Sequence, residues 1–386
     1  MKKFMLPIIL VCALAVLCLV AFVILPSINS QPDPTEPPTT PPTEAPTNAP
    51  TQAPTDAPTE APTDAPTEAP TEEPTEAPTE PAPVLFRNPL NGQPMDEAYT
   101  GRIFGISINN SKSALPFHGV SQADVFFEMY VNEYATRGFA LFSNIADVQS
   151  VGSVRSHRYN FTDLALAYNL VAINSGGSSA VLDDAKAEKI DIMNCDDNNG
   201  GYRDYDRYNN QGYAWEHCLF AVGEDLLKAA KKKGFDLEVK EYDYGMQFTE
   251  NGTPANGADA TEIEIVLTIG SHKKSSIMKY DENTGKYVFW QYNKKMIDEN
   301  NGQDISFANV IVIFAENTNE GVYHIANLDG SGEGYFACGG KIVPIRWVHE
   351  KETDPFTFYL LDGTPLQQNV GSTYIAIAPI GSAVKY

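Results

Sequence analysis

The chain has no Cys-x-x-Cys pair, no HxxxH or HExxH spacing among its six histidines, and no G-x-S-x-G turn. The first two absences leave no familiar zinc spacing and no dithiol redox centre. The third leaves no nucleophile elbow of the α/β-hydrolase kind. Cysteine is scarce, at five residues in 386. Cys12 and Cys18 sit in the leading apolar run, and Cys195, Cys218 and Cys338 are scattered further on. An odd count outside the cytoplasm leaves at least one thiol free, so isolated buried cysteines are expected rather than a disulfide framework. Positive charge is the other shortage: 27 Lys and Arg stand against 50 Asp and Glu, for a net charge of −23. Without basic stripes to meet phosphates, no nucleic-acid partner is expected.

What is present first is grease. Phe4–Leu25 carries no charge and is 22 residues long, enough to cross a hydrocarbon core of about 30 Å. Lys2 and Lys3 precede it and no base follows for a long way. The positive-inside bias therefore keeps the amino terminus cytoplasmic and sends the rest out. A cleaved signal is the rival reading, but its apolar region is usually only about 7–15 residues. A lipoprotein signal at Cys18 or Cys12 is a third. Leu17 and Val11 stand where that signal needs a small residue.

A Pro/Thr tract follows, from about Gln31 to Pro83. It repeats Ala-Pro-Thr-Glu or Ala-Pro-Thr-Asp, with eleven acids and no base. Proline at every fourth position denies helix and sheet, and there is almost nothing apolar to bury. Regular negative charge extends such a chain, to roughly 160 Å if fully polyproline II. A spacer across a thick wall and a stalk of untuned length fit the composition equally.

The remaining 300 or so residues are long enough for two cores. Ile103–Asn109, Val125–Val131 and Gly138–Ile145 read as strands. Tyr159–Leu170, Ser179–Ile190 and Gly223–Lys233 read as helices, and Leu170–Asn174 as a buried strand. From about Tyr242 the pattern changes to strands and turns: Glu262–Ile269, Ser276–Tyr280, Tyr287–Tyr292, Asn309–Ala315, Lys341–Trp347, Phe356–Leu361 and Thr373–Pro379. Asn283-Thr284-Gly285 and Asp362-Gly363 supply reversals that need positive φ. The expected fold class is α+β. The expected layout is a cytoplasmic tail (1–3), a transmembrane anchor or uncleaved signal (4–26) and a disordered linker (27–84). A mixed α/β N-terminal ectodomain (85–240) and a mostly antiparallel β C-terminal domain (241–386) complete it.

Several segments carry a resemblance in one order. They are Asn88-Pro89-Leu90-Asn91-Gly92, Asn109-Asn110, Gly119–Glu128, Thr136-Arg137 and Val151–Arg158, then Arg203, His217 and Asn309–Val312. Over about Asn88–Ile380 the chain resembles the YerB-like family, bacterial surface proteins of unknown function. The resemblance implies a mixed domain followed by a β domain, and placement outside the cytoplasm. It implies no activity. The chain departs from the family pattern at Asn132, at Ser175 and at Glu216-His217-Cys218, where members carry an acid, a His and Pro-His-Asn.

The sharpest chemistry is a basic cluster in an acidic body: Arg137, Arg155, Arg158 and Arg203. Arg155-Ser156-His157-Arg158 lies at a helix entrance, where unpaired amides and the dipole favour an anion. Guanidinium forks take phosphate or carboxylate bidentately. One reading is an anion site for a wall polymer, drawing in Glu128 and His217. The other is structural, with Asp124 and Glu128 pairing Arg137 and Arg155 inside the fold. Ser156 has His157 and His217 as its only local bases. Ser175-Gly176-Gly177-Ser178 lacks the Lys-Ser/Thr ending of a phosphate loop and reads as a tight turn. Asp196–Gly201 with Asp204 is similar to a calcium loop, but its twelfth position is Arg207 rather than Glu, so a solvated loop is expected. Trp215, Trp290 and Trp347 read as core residues. No metal and no cofactor is expected.

The reading that results is a membrane-anchored ectodomain, partnered by the membrane through its leading helix and by an anionic cell-wall polymer or another envelope protein. The alternative is an envelope enzyme acting on phosphate-linked glycan, with the arginines holding a pyrophosphate and Glu128 as acid or base.

Overall fold

Alternation along the strands sets the core. In Val125–Asn132, Phe126 and Glu128 face one way and Phe127 and Met129 the other, and all are buried. A strand buried on both faces must lie inside a covered sheet. The computed structural model describes residues 86–386 except 133–134, 197, 240–241 and 269–272. Its central element is an eleven-stranded mixed sheet. Ten strands run in the order Ala258–Asp259, Lys341–His349, Gly330–Cys338, Asn309–Ala315, Thr373–Pro379, Val125–Asn132, Ala135–Phe142, Phe104–Asn109, Val171–Asn174 and Asp191–Asn194. Thr357–Leu360 adds to Lys341–His349.

The sheet draws strands from both sides of residue 240. Thr373–Pro379 lies between Asn309–Ala315 and Val125–Asn132 and is parallel to both. Phe104–Asn109, Val171–Asn174 and Asp191–Asn194 are also parallel in series. The described residues belong to one compact unit. They are mostly strands with few helices.

Two apolar layers cover the sheet. On one face Ile106, Ile108, Phe126 and Ala140 join Ile263, Ile265, Met278 and Phe289. The latter come from a six-stranded antiparallel sheet built on Glu262–Val266, Ser275–Asp281 and Lys286–Gln291. On the other face Phe127, Phe139, Ile311 and Trp347 pack with Phe161, Leu164 and Tyr168 of the Tyr159–Ala167 helix and its cap. Each large side chain so buried contributes about 1.5–3 kcal/mol.

The expected helices form, over Tyr159–Ala167, Ser179–Ala187 and Gly223–Lys233. The last stops at Gly234, whose φ of 82° is left-handed, as a C-terminal glycine allows. Trp347 is buried as expected, but Trp215 is 42% exposed. It stands on a 3-10 turn, Trp215–His217, at the surface. Among the described residues no helix is long and apolar enough to cross a membrane. The run Phe4–Leu25 and the 27–84 tract lie outside the described residues.

Candidate functional site

The segment Arg155–Arg158 is held extended between two parallel strands. Arg155 N–H donates to the Ser107 carbonyl at 2.9 Å, and the Arg155 carbonyl accepts from Ser175 N–H at 2.8 Å. His157 N–H donates to the Gly176 carbonyl at 2.8 Å. This fixes the arginines at the carboxyl ends of Phe104–Asn109 and Val171–Asn174, where α/β sheets commonly present ligands.

Arg158 is the N-cap of the Tyr159–Ala167 helix, in extended conformation. It gives the helix no side-chain cap, and no acid lies in the first turn. The positive end of the helix therefore has no negative side chain of its own.

Three guanidinium groups crowd this entrance. Arg137 is 5% exposed. Its Nη1 donates to the Ser156 carbonyl at 3.0 Å, and its Nε has no partner. Arg158 donates Nη1 to the His157 carbonyl at 2.7 Å and lies 5.2 Å over the Tyr323 ring, with Nε unpartnered. Arg155 also has an unpartnered buried Nε. None of the three makes an ion pair with a described carboxylate. Burial and then the charges of Arg158 and Arg155 hold Arg137 well below its ordinary range. Burial also lowers Arg155, against the pull of Glu216. It lowers Arg158 too, with Tyr323 opposing and Arg155 assisting. Arginine keeps its proton in proteins, so the cluster bears a desolvation cost, with mutual repulsion added at Arg137 and Arg158, that a bound anion would offset.

The other expected residues divide. His217 sits beside the cluster. Its Nδ1 pairs with Asn109 Nδ2 at 2.8 Å and its Nε2 with Ser113 Oγ at 3.0 Å. Burial lowers its pKa, Glu216 opposes, and Arg155 and Arg207 add to the lowering. Arg203 turns to Trp215, donating to its carbonyl at 3.0 Å and stacking 4.4 Å over its ring. Glu128 lies on the opposite face of the sheet from Arg137, because Glu128 is paired with Gly138 and Arg137 with Met129.

The internal pairing of Arg137 and Arg155 with Asp124 and Glu128 is not made. Asp124 accepts from Ser143 N–H at 2.6 Å and from Asn91 Nδ2. Glu128 is bonded by Lys274. Neither His157 nor His217 bonds to Ser156. His157 Nε2 is 3.1 Å from Thr162 Oγ1, and burial followed by Arg158 pushes its pKa down to about 3. Asp196 caps a turn through Asn198 N–H, and Asp204 caps a short helix through Arg207 N–H at 2.9 Å. Asp197 lies outside the described residues.

Two residues at the site escaped the sequence. Tyr323 comes from the Asn317–Glu320/Tyr323–Ala326 hairpin, far along the chain, and nothing local marks it. Arg207 is buried, donates to the Ala114 carbonyl at 2.6 Å and lies 3.8 Å over the Tyr213 ring. Its polar sequence neighbours hid the core role it takes on the short Tyr205–Asn209 helix.

Comparison with known proteins agrees with this architecture. Residues 90–236 match the family model described as "Protein of unknown function (DUF3048) N-terminal domain". Residues 265–375 match the corresponding C-terminal domain. A Bacillus subtilis (strain 168) protein named "Putative lipoprotein YerB" is 23% identical over 305 residues, covering 75% of this chain and 86% of that one. The crystal structure of YerB protein from Bacillus subtilis superposes with a TM-score of 0.67 at 20% identity, covering 78% of this chain and 99% of that chain. That likeness shows a shared fold. With both domain models matched in order along the chain, this protein belongs to the DUF3048 family, the family of YerB.

Proposed function

We propose that the chain is a membrane-anchored, extracytoplasmic protein whose folded part binds an anionic polymer of the cell envelope through Arg137, Arg155 and Arg158. The uncharged run Phe4–Leu25 and the acidic Pro/Thr tract support the placement, as does a relative that bears the name "Putative lipoprotein YerB". One observation carries the binding reading. Three arginines gather at an uncapped helix entrance with no described carboxylate bonded to any of them. Buried cations are normally paired, and a phosphate or carboxylate would supply the missing partner. His217, Asn109 and Tyr323 border the cluster, and a polymer offers one anion per repeat to it.

The experiment is retention of purified anionic wall polymer by immobilised protein. Wild type is expected to retain it and Arg155→Ala/Arg158→Ala to lose most of it, with circular dichroism showing both folded. Equal retention by the two overturns the reading.

A further inference from the structure

Glu128 is fully buried on the sheet face that packs against the six-stranded sheet, and one of its oxygens is shared by an amine and an amide from distant parts of the chain. Oε1 accepts from Asn110 Nδ2 at 2.7 Å, from Thr136 Oγ1 at 2.6 Å and from Lys274 Nζ. Oε2 accepts from Ser276 Oγ at 2.6 Å and Tyr374 OH at 2.7 Å. Lys274 Nζ also donates to Ser276 Oγ at 2.6 Å. Asn110 Oδ1 accepts from Gln291 Nε2 at 2.7 Å. Phe289 and Tyr292 flank the amine, their ring centroids 6.0 and 5.8 Å away. Asn110 and Glu128 are 0% exposed and Lys274 is 6% exposed.

A dry amine, a side-chain amide and a carboxyl group that touches both are the reactants and the catalyst of amide exchange. The amine is nucleophilic only when neutral. Burial pulls Lys274 below its ordinary range, against the charge and hydrogen bond of Glu128. Burial favours the neutral carboxyl; Lys274 and the Ser276 and Thr136 hydroxyls outweigh it and hold Glu128 below its ordinary range, so the proton passes from Nζ to Oε1 against that pull, replacing a costly buried ion pair by two neutral groups. The resulting carboxylic acid can deliver a proton to Asn110 Nδ2, while Gln291 Nε2, already donating to Asn110 Oδ1, polarises the carbonyl. Lys274 Nζ and Asn110 Nδ2 are already gathered on one oxygen, Glu128 Oε1, and such proximity lowers the entropic part of a barrier.

We propose that Lys274 and Asn110 join in an intramolecular isopeptide bond, with Glu128 as the acid–base catalyst. The Nζ–Cγ bond forms and the Cγ–Nδ2 bond of Asn110 breaks. Of the two protons on the neutral amine, one stays on the new amide. The other, relayed through Glu128, leaves with Nδ2 as ammonia. Glu128 ends as the carboxylic acid that the first proton transfer made it, and gives up that proton when ammonia leaves as ammonium; no oxidant, reductant or co-reactant is consumed. Asn110 is the acceptor because Gln291 polarises its carbonyl and Glu128 can protonate its leaving nitrogen, whereas attack on Glu128 would consume the group that moves the proton. The bond would tie the end of Phe104–Asn109 to the start of Ser275–Asp281, clamping the two sheets across a long loop.

The test is the mass of the purified full-length chain under denaturing conditions, with a tryptic peptide map. Wild type is expected to lack one ammonia, and a peptide containing Asn110 to be joined to one containing Lys274. In Lys274→Arg and Glu128→Gln these peptides are expected to run separately. A wild-type chain in which Asn110 and Lys274 lie in separate, unmodified peptides overturns the proposal and leaves a buried ion pair. Loss of one water, with Lys274 joined to Glu128, overturns Asn110 as the acceptor. The wild-type result decides the matter whether or not either variant folds.

Discussion

Glu128 and Arg137 point away from each other across one antiparallel ladder, although their strands are hydrogen-bonded neighbours. Glu128 is paired with Gly138 and Arg137 with Met129, and one step along a strand reverses the face. The pleat thus splits the charged residues into two chemistries. Glu128 meets Lys274 in the layer shared with the six-stranded sheet. Arg137 meets Arg155 and Arg158 at the helix entrance. An acid for chemistry at the arginines has to come from elsewhere, and Glu216 is the acid whose charge Arg155 feels.

In the Asn110→Ala background, where no isopeptide bond can form and Lys274 keeps its charge, removing the Glu128 carboxylate strands a buried ammonium. Glu128→Ala is expected to cost about 3–5 kcal/mol, read as a lower urea midpoint at unchanged slope. Glu128→Ala/Lys274→Met is expected to cost less than the single change, because no charge is left unpaired. A single-variant loss under about 1 kcal/mol, within the range of exposed pairs, would contradict the pairing drawn here.

The arginine cluster holds desolvated charge, with repulsion added at Arg137 and Arg158, so stability and binding should move in opposite directions. Arg137→Met removes a buried, carboxylate-free charge and keeps an apolar stem. It is expected to raise the unliganded melting temperature, by about 1–2 kcal/mol of stability. Polyphosphate is expected to raise the melting temperature of wild type and to raise that of the variant much less. A variant that melts lower and responds equally to polyphosphate would show that Arg137 is a structural group.

Much of this fold could be read from the chain. Asn309–Ala315 and Thr373–Pro379 are unbroken β-branched and apolar runs, and both form with the expected bounds. Gly285 and Gly363 turn the chain where expected, at φ 68° and 87°. Gly330–Cys338 was missed, because its glycines weaken the strand signal. Packing explains them: a Cβ on Gly332 would lie 2.6 Å from the Trp347 indole nitrogen. The parallel joins of Thr373–Pro379 were also out of reach, since periodicity gives a strand but not its neighbours. At the site, the arginines were visible as a basic cluster in an acidic chain. Their separation from Glu128 was not, because a face assignment needs the register. Lys274 carried no signal at all, being one lysine of a polar stretch until the fold buries it.

Two groups on and beside the Tyr159–Ala167 helix are expected to give stability opposite pH slopes. His157 has a folded pKa of about 3, lowered by burial and then Arg158. It stays neutral when folded, while the unfolded chain takes up a proton below about 6.5. Its contribution is present above that pH and is lost as pH falls toward 3. Asp163 is pushed up to about 7 by burial, with Asn160 opposing and Asp184, Asp329 and Glu352 assisting. Its contribution is present below its ordinary 3.8 and is lost as pH rises through about 7. Asp163→Asn should therefore gain on wild type between pH 4 and 8 (about the interval the two pKa values span). His157→Gln should flatten the acid limb. Parallel wild-type and Asp163→Asn melting curves across that range would refute the assignment.

The three described cysteines should resist thiol reagents until the fold opens. Cys195, Cys218 and Cys338 are free and buried. Burial, followed by Asp196, raises Cys195 to about 12. Burial raises Cys338 to about 11, against hydrogen bonds from Thr253 and Asn369. Burial raises Cys218 as well, with Arg207 opposing. Reaction needs both thiolate and access, and the native fold withholds both. Maleimide at neutral pH is expected to leave all three unlabelled in native protein and to label all three in denaturant, read by peptide mass. Cys218 follows the exposed Trp215–His217 turn, so partial labelling confined to Cys218 would report local opening there. Native labelling of Cys195 or Cys338 at the denatured rate would contradict the packing of the layers that hold them.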